Sequence, residues 1–197
     1  TGTVNFTFTN TSNGCSATTL DIDVNDLPTV TAADVTICEN QTLTLSGGTA
    51  GLTYAWSGPL GYSSTSQSPT VSTNATTGMS GSYVLTGTNS NMCSSSATAN
   101  VTVNGLPSID DTGVLETDPT SCGATDGSIT GLVGSGSPTL SYSWNAGASQ
   151  PTSDLTGIGA SANTVVITDG NGCSQTYGPY SISDPSAPPA PTLTPNG

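Results

Sequence analysis

The side chains of this 197-residue chain that could do chemistry are five cysteines and thirteen carboxylates, because it has no Lys, Arg or His. Its many Ser and Thr hydroxyls therefore have no Lys or His to act as a base, and nucleophilic catalysis is not expected. Zinc binding is not expected either, since there is no His and no C-x-x-C spacing. The remaining chemistries are disulfide bonding and the coordination of a hard cation by carboxylates.

The charge of the chain limits the kinds of partner that it could bind. A formal charge of −13 with no cationic side chain excludes neutralisation of nucleic-acid phosphates and polybasic docking to anionic lipid. The chain has enough carboxylates for a glycosidase mechanism, which needs two of them. The acids are scattered, however, and no pair lies in an aromatic-rich segment that could form a sugar cleft. The composition therefore predicts a protein that is not an enzyme.

A short β-branched run that ends in a polar turn and a cysteine occurs three times. The copies are VNFTFTNTSNGC, YVLTGTNSNMC and TVVITDGNGC, which end at Cys15, Cys93 and Cys173, 78 and 80 residues apart. Each is followed by a polar strand that closes on a proline, and these prolines are 79 and 78 residues apart. A fixed period indicates a tandem repeat of about 79 residues.

The local patterns predict an all-β fold. DIDVN, TLTLS, ANVTVN and SYSWN alternate apolar or β-branched residues with polar ones, as half-buried strands require. Clusters of Gly, Pro, Asn and Ser recur at turn spacing, and no stretch has helical periodicity. Cysteines in such a chain indicate an oxidising, extracellular setting.

The period divides the chain into four parts. We expect the C-terminal part of a truncated repeat at residues 1–28, complete repeats at 29–107 and 108–185, and a Pro-rich linker or the start of the next repeat at 186–197. We refer to the repeats as modules.

The cysteines suggest how each module is tied. In residues 29–107 the order Cys38, Trp56, Cys93 resembles that of immunoglobulin-like (Ig-like) sandwiches, although Cys93 falls in the turn instead of mid-strand. The spacings of 55 and 51 residues match once the modules are aligned on their Trp. They predict disulfides within a module, Cys38 with Cys93 and Cys122 with Cys173. Cys15 is expected to be unpaired, because its partner would precede residue 1.

Aromatic residues at repeated positions are candidates for the core. Trp56 and Trp144 each follow an alternating tyrosine, Tyr54 and Tyr142, and Tyr83 lies in the strand before a cysteine turn. A single large aromatic in a central strand fills the middle of a small sandwich. A sugar-stacking platform would need more exposed aromatics than the 5% present.

Acidic residues crowd the start of the third part of the chain. Because no cation is available to pair with them, they are a candidate calcium site at a module junction, and a solvated acidic surface is the alternative. The residues are Asp110, Asp111, Glu116, Asp118 and Asp126.

Residues 108–185 resemble a known family at several positions together. They are Cys122, Asp126 to Ile129, Tyr142 to Trp144, Leu155, Thr164 to Asp169 and Asn171 to Cys173. This order is similar to the SprB repeat of Bacteroidetes gliding-motility adhesins, and residues 29–107 more loosely resemble the PKD-like or Ig-like modules of the same giant surface proteins. The chain departs from the SprB pattern between Ile158 and Asn163. The resemblance implies type IX secretion, surface display and adhesion, with no catalytic residues.

These observations together predict a non-catalytic segment of a long secreted repeat protein, a cell-surface adhesin or extracellular filament. Its partners would be other copies or neighbouring repeats, with a surface or polysaccharide ligand also open. The alternative is an accessory binding module of a secreted glycan-degrading enzyme. Further copies of the unit beside this segment would favour the first, and a catalytic domain the second.

Overall fold

The computed structural model describes residues 2–18, 22–145, 147 and 151–185. The chain divides into two compact units, Thr1–Val103 and Asn104–Gly197. Strands dominate both, and the helices of the described residues are two short 3-10 turns, Pro59–Gly61 and Thr77–Met79. No helix in these ranges is long and apolar enough to cross a membrane. The all-β prediction is confirmed, and the predicted linker at residues 186–197 lies outside the described residues.

The first unit begins with an antiparallel hairpin. Strand β1 (Gly2–Val4) pairs with β4 (Ile22–Val24), and β2 (Thr7–Thr9) pairs with β3 (Ser16–Thr18). Every described residue of these strands is exposed. This hairpin falls in the same unit as residues 29–103, so the module boundary at residue 28 stays a prediction.

The rest of the first unit forms two sheets. Five strands hydrogen-bond in the order β5-β11-β10-β7-β8, and β6 pairs with β9. The strands are β5 (Val35–Cys38), β6 (Leu43–Thr44), β7 (Thr53–Ser57), β8 (Ser63–Ser64), β9 (Thr70–Ser72), β10 (Gly81–Thr88) and β11 (Ser94–Asn104).

The core of the first unit follows from the alternation of its longest strands. On β10, Tyr83 and Leu85 are buried, while on β11 the buried positions are Ala99, Val101 and Val103. Alternate residues of a strand point to one face, so each strand offers one apolar side to the interior. The buried cluster is completed by Leu43, Leu45, Trp56 and Ala75.

The second unit contains three small sheets. They have the strand orders β13-β14-β17, β16-β18-β19 and β12-β15. The strands are β12 (Ser108–Asp110), β13 (Leu115–Thr117), β14 (Gly127–Thr130), β15 (Val133–Ser135), β16 (Ser141–Trp144), β17 (Leu155–Ile158), β18 (Ser161–Thr168) and β19 (Ser174–Ile182). The buried cluster is Ile129, Leu132, Tyr142, Trp144, Val165, Ile167, Tyr180 and Ile182.

Candidate functional site

The cysteine turns, residues 10–15, 89–93 and 169–173, connect antiparallel strands. In the second, the Asn89 Oδ1 atom accepts hydrogen bonds from the backbone N–H groups of Asn91 and Cys93, both at 3.0 Å. In the third, Asp169 Oδ1 accepts from Asn171 and Cys173 at the same distances. The backbone N–H at the first position of each turn also donates to the carbonyl of its cysteine. The same side-chain chemistry thus builds the same turn, as Asn and Asp commonly do.

The residue before each turn cysteine has a left-handed backbone. The φ angles are 69° at Gly14, 65° at Met92 and 80° at Gly172. Glycine adopts this conformation without the steric penalty that a Cβ atom imposes, which explains the Asn-Gly-Cys sequence of two of the turns. Met92 carries that penalty, and its side chain is exposed. These local interactions present each cysteine at the end of a strand pair.

All five cysteines are described, and Cys38 and Cys173 are disulfide-bonded. Cys15, Cys93 and Cys122 have free thiols. The thiol of Cys15 lies where the sequence predicts an unpaired cysteine. The predicted bridges within a module, Cys38 with Cys93 and Cys122 with Cys173, are not formed, and strand direction gives the physical reason.

In the first unit, residues 25–34 run in the same direction as β11. Asn91 Nδ2 donates to Asn25 Oδ1 at 2.9 Å, and nine residues later on both segments the Asn100 N–H donates to Asp34 Oδ1 at 2.7 Å. Residue numbers rise together along both segments. Cys38 lies four residues beyond Asp34, whereas Cys93 lies seven residues before Asn100. Eleven strand residues span roughly 35 Å, and a disulfide needs Cα atoms within about 7 Å.

The second unit repeats this arrangement. The Ser181 N–H donates to Glu116 Oε1 at 3.2 Å, and the Ser183 N–H donates to Asp118 Oδ1 at 2.8 Å. Continuing in the same direction, the Cys122 Sγ atom lies 3.8 Å from Asp184 Oδ2. Cys173 precedes β19 at its other end, eleven residues before Asp184. Cys122 and Cys173 therefore lie at opposite ends of the unit, like Cys38 and Cys93.

The free thiols of Cys93 and Cys122 lie beside oxygen acceptors. Cys93 is half-buried, and its Sγ atom is 3.8 Å from the Asn91 carbonyl and 4.0 Å from the Asn25 carbonyl. Cys122 is exposed beside Asp184. Sequence spacing placed a cysteine in the turn and another in the first strand of each module. The spacing does not indicate at which end of the module each of the two cysteines lies.

The predicted core aromatics lie in the two interiors. Trp56 is 2% exposed and Trp144 is 6% exposed, and each indole donates to a backbone carbonyl, of Gln67 at 3.4 Å and Ser153 at 3.1 Å. Tyr83 and Tyr142 are buried, and Tyr54 packs partly buried against the first cluster. Indoles enclosed in this way offer no face on which a sugar could stack.

The predicted calcium ligands are not brought together. In the described ranges, no three His, Cys, Asp or Glu residues form a group that could hold a metal ion. Four of the five carboxylates instead accept hydrogen bonds from nearby donors: Asp110 from Thr112, Asp126 from Thr120, Glu116 from Ser181 and Asp118 from Ser183. In the structure, the oxygens of these four carboxylates hold backbone N–H groups of their own or of a neighbouring segment.

The hydrogen bonds also lower the pKa values of two of these acids. The backbone N–H and hydroxyl of Thr112 hold the pKa of Asp110 below its ordinary value. The hydroxyl and backbone N–H of Thr120 lower the pKa of Asp126 in the same way. Hydrogen bonds to an ionised carboxylate favour that form, so both side chains remain charged acceptors at neutral pH.

Buried Asn163 was not anticipated from the sequence. It is 1% exposed, and its Oδ1 atom accepts from Asn145 Nδ2 at 2.8 Å while its Nδ2 donates to the Ser161 carbonyl at 3.1 Å. The pairing of β18 with β19 changes register between Asn163 and Val165. This residue belongs to the segment that departs from the SprB pattern, and an isolated Asn among Ser, Ala and Thr carries no signal of burial.

Comparison with known proteins identifies the fold of this chain. No protein-family model matches the chain, and no curated protein matches it. Among solved structures, the N-terminal eight Ig domains of the Down Syndrome Cell Adhesion Molecule align with a TM-score of 0.53 and 9% identity, over 89% of this chain and 30% of that chain. Ig domains 1–5 of Sidekick-1 align at 0.43 and 16%, over 89% and 45%. Drosophila OTK extracellular domains 3–5 align at 0.43 and 11%, over 88% and 67%.

The first of these likenesses shows that the fold is Ig-like, as the sequence predicts. The chain spans less than a third of that structure's length, and its identity is too low to carry more than the fold.

Proposed function

We propose that this chain is a non-catalytic segment of a long secreted repeat protein that acts as a cell-surface adhesin or extracellular filament. Its Ig-like modules provide reach, and its partners are neighbouring repeats and other copies of the same protein. The finer version carries over the resemblance to SprB-type repeats, with type IX secretion and a role in gliding or attachment.

The observation that carries this proposal is the recurrence of one design within a single chain. Both units contain a cysteine turn built by an Asn or Asp side chain. Both also contain a buried Trp whose indole donates to a backbone carbonyl. Recurrent modules without a catalytic base suit a role in spanning distance, where each module needs only to be stable and joined to the next.

The N-terminal hairpin supports an extended array. Its apolar side chains Val4, Phe6, Phe8, Ile22 and Val24 are 42–67% exposed. When the cysteine turns and prolines are aligned, they match Tyr83, Leu85, Gly87, Val101 and Val103, which are buried in the first unit. We infer that residues 1–28 are the last strands of a module whose remaining strands cover this apolar face.

An immunoblot of the source cells, with antibodies raised against the purified chain, tests the proposal. We expect a reduced, denatured polypeptide far larger than 19.4 kDa, which proteinase K removes from intact cells. Deleting the coding segment in frame should reduce attachment of the cells to a surface. A control blot for a cytoplasmic protein must be unchanged by the protease.

Two outcomes would contradict the proposal. Protection of the polypeptide in intact cells would exclude surface display. A glycoside hydrolase activity that comigrates with the polypeptide on a zymogram would favour the alternative, an accessory binding module of a glycan-degrading enzyme. Both indoles are buried and offer no exposed platform for a sugar, so we do not expect this activity.

A further inference from the structure

We propose that the outer face of the main sheet in a module is the surface on which two copies of this protein pack together. In the first unit this surface, the hydroxyl face, consists of ten residues in three rows across the strands β8, β7, β10 and β11. The rows are Thr53–Thr88–Ser94, Ala55–Thr86–Ser96 and Ser63–Ser57–Val84–Thr98. The inference rests on the proposed function, in which other copies are partners, and it names the surface that they share.

The hydroxyl face is open to solvent. Alternate residues of a strand point to opposite sides of the sheet, and Leu85 on β10 and Trp56 on β7, which lie between the rows, are buried in the core. The residues of the face on β7, β8 and β11 are exposed, and those on β10 are half-buried. One side of the sheet thus builds the core, and the other is available to a partner.

No residue of the hydroxyl face is charged, although the chain carries 13 carboxylates and no cation. Eight of the ten residues are Ser or Thr, and the other two, Ala55 and Val84, are also small. Carboxylates on two copies of such a chain can only repel one another. A neutral sheet face is therefore a surface on which two copies can meet with little repulsion.

Hydroxyl groups also make the face complementary to itself. In a contact with two-fold symmetry, both copies use the same patch, so each group must be able to bond to its own kind. A hydroxyl both donates and accepts, whereas a carboxylate only accepts. Thr86 and Ser96 show such a pair within the sheet, where their hydroxyl oxygens lie 3.1 Å apart and either can donate. A second copy offers the same bonds across an interface.

The second unit, taken by itself, has a face of the same kind. Its β16-β18-β19 sheet contains the rows Ser141–Thr168–Ser174 and Ser143–Val166–Thr176. Tyr142 and Ile167, which lie between these rows, are buried. Five of the six residues carry a hydroxyl and none is charged. The neutral face is therefore a property of the module and not of one sheet.

The size of the face predicts a weak contact. Strands lie about 4.8 Å apart and alternate residues about 6.6 Å apart, so ten residues cover about 300 Å². Each partner in a standard interface contributes about 800 Å². We therefore expect a transient association that forms at the high local concentration of chains held side by side in a filament or on a cell surface.

Sedimentation equilibrium of the 197-residue chain measures this association. Blocking the free thiols with iodoacetamide prevents disulfides between copies. We expect the mean mass to rise reversibly from that of the 19.4 kDa monomer as the concentration is raised to about 1 mM. A mass that stays at the monomer value over this range would overturn the proposal.

Thr86→Asp places a carboxylate in the middle row of the face. Association should weaken by at least about tenfold, because like charges that face each other repel strongly. The matched control Thr44→Asp adds the same charge at an exposed position of β6, in the other sheet, and should associate almost as the wild type does. Circular dichroism confirms that each variant is folded. Equal weakening in both folded variants would overturn the proposal, because net charge would then control association.

Opposite charges give a test that does not depend on a loss. An equimolar mixture of Thr86→Asp and Thr86→Lys should associate more strongly than either variant alone, and by more than the corresponding mixture of Thr44 variants. The reason is that a two-fold contact brings position 86 of one copy near position 86 of the other. Equal gains at positions 86 and 44 would contradict a contact through this face.

The outcomes also separate this inference from the proposed function. A monomeric chain that binds soluble dextran, and loses that binding in Thr86→Asp, would overturn the contact between copies and assign the face to a neutral polysaccharide. A large polypeptide on the surface of the source cells would still support the array. A cellular polypeptide no larger than 19.4 kDa would instead refute the proposed function, while sedimentation of the purified chain would still decide whether copies associate through this face.

Discussion

Tyr180 on β19 places a hydroxyl in the interior of the second unit. Its ring lies 5.8 Å from that of Trp144, edge to face, and the buried hydroxyl has no hydrogen-bond partner among the described residues. Burial raises the pKa of this phenol, and the negative charge of Asp111 raises it further. A buried hydroxyl without a hydrogen-bond partner destabilises the folded state, and a phenylalanine ring at the same place would not have this cost.

Tyr180→Phe should therefore raise the free energy of unfolding, by about 1 kcal/mol. Urea denaturation of both proteins measures the difference. The matched control is Tyr83→Phe, which removes a 3.0 Å hydrogen bond to the Met79 carbonyl and should lower the same quantity by about 1 kcal/mol. A loss of stability in Tyr180→Phe equal to that of the control would show that the hydroxyl is satisfied in solution.

At the scale of elements, β18 is held to its surroundings by a polar cluster. Asn163 accepts from Asn145, whose own Oδ1 atom accepts from the Thr164 N–H at 3.0 Å. These bonds tie the residue after β16 to β18 where the register with β19 changes. The two amide side chains therefore hold this end of β18 to the residue that follows β16.

Asn163→Ala should lower the free energy of unfolding by about 2 kcal/mol, since it leaves Asn145 without its buried acceptor. Hydrogen exchange of β18 amides should rise most near residue 164. Ser181→Ala, an exposed position on β19, is the control and should change stability by less than about 0.5 kcal/mol. Equal effects of both substitutions would argue against a structural role for the cluster.

At the scale of the whole molecule, every interaction between charged side chains is repulsive, because thirteen carboxylates face no Lys, Arg or His. Raising NaCl shortens the Debye length from about 30 Å at 0.01 M to about 8 Å at 0.15 M. The melting temperature should therefore rise by a few degrees over this range and then level off. Melting curves at fixed pH measure the rise, and a fall would contradict the purely repulsive balance.

Calcium chloride at the same ionic strength is the control for this prediction. The described residues contain no group of three acids that could hold a metal ion, so Ca²⁺ should act only by screening. A melting temperature well above that in matched NaCl would restore the predicted calcium site. The acids to replace would then be Asp110 and Asp126.

The sequence could predict the strands and the core because both depend on interactions between near neighbours. Alternation on β10 and β11 identifies the buried face wherever that face meets a second apolar layer. The Asn-Gly-Cys turns follow from local hydrogen bonds and from the backbone freedom of glycine. The recurrence of these strand and turn patterns in both modules predicts the Ig-like fold.

The disulfide and the buried Asn163 were decided only by tertiary structure. Spacings of 55 and 51 residues do not show whether two cysteines lie at the same end or at opposite ends of a module, because chain separation does not encode strand direction. Parallel pairing of the first segment with the last strand carries Cys38 about 35 Å from Cys93. Residues distant in sequence share a site only where folded strands bring them, so which cysteine meets which is a property of the assembled sheets.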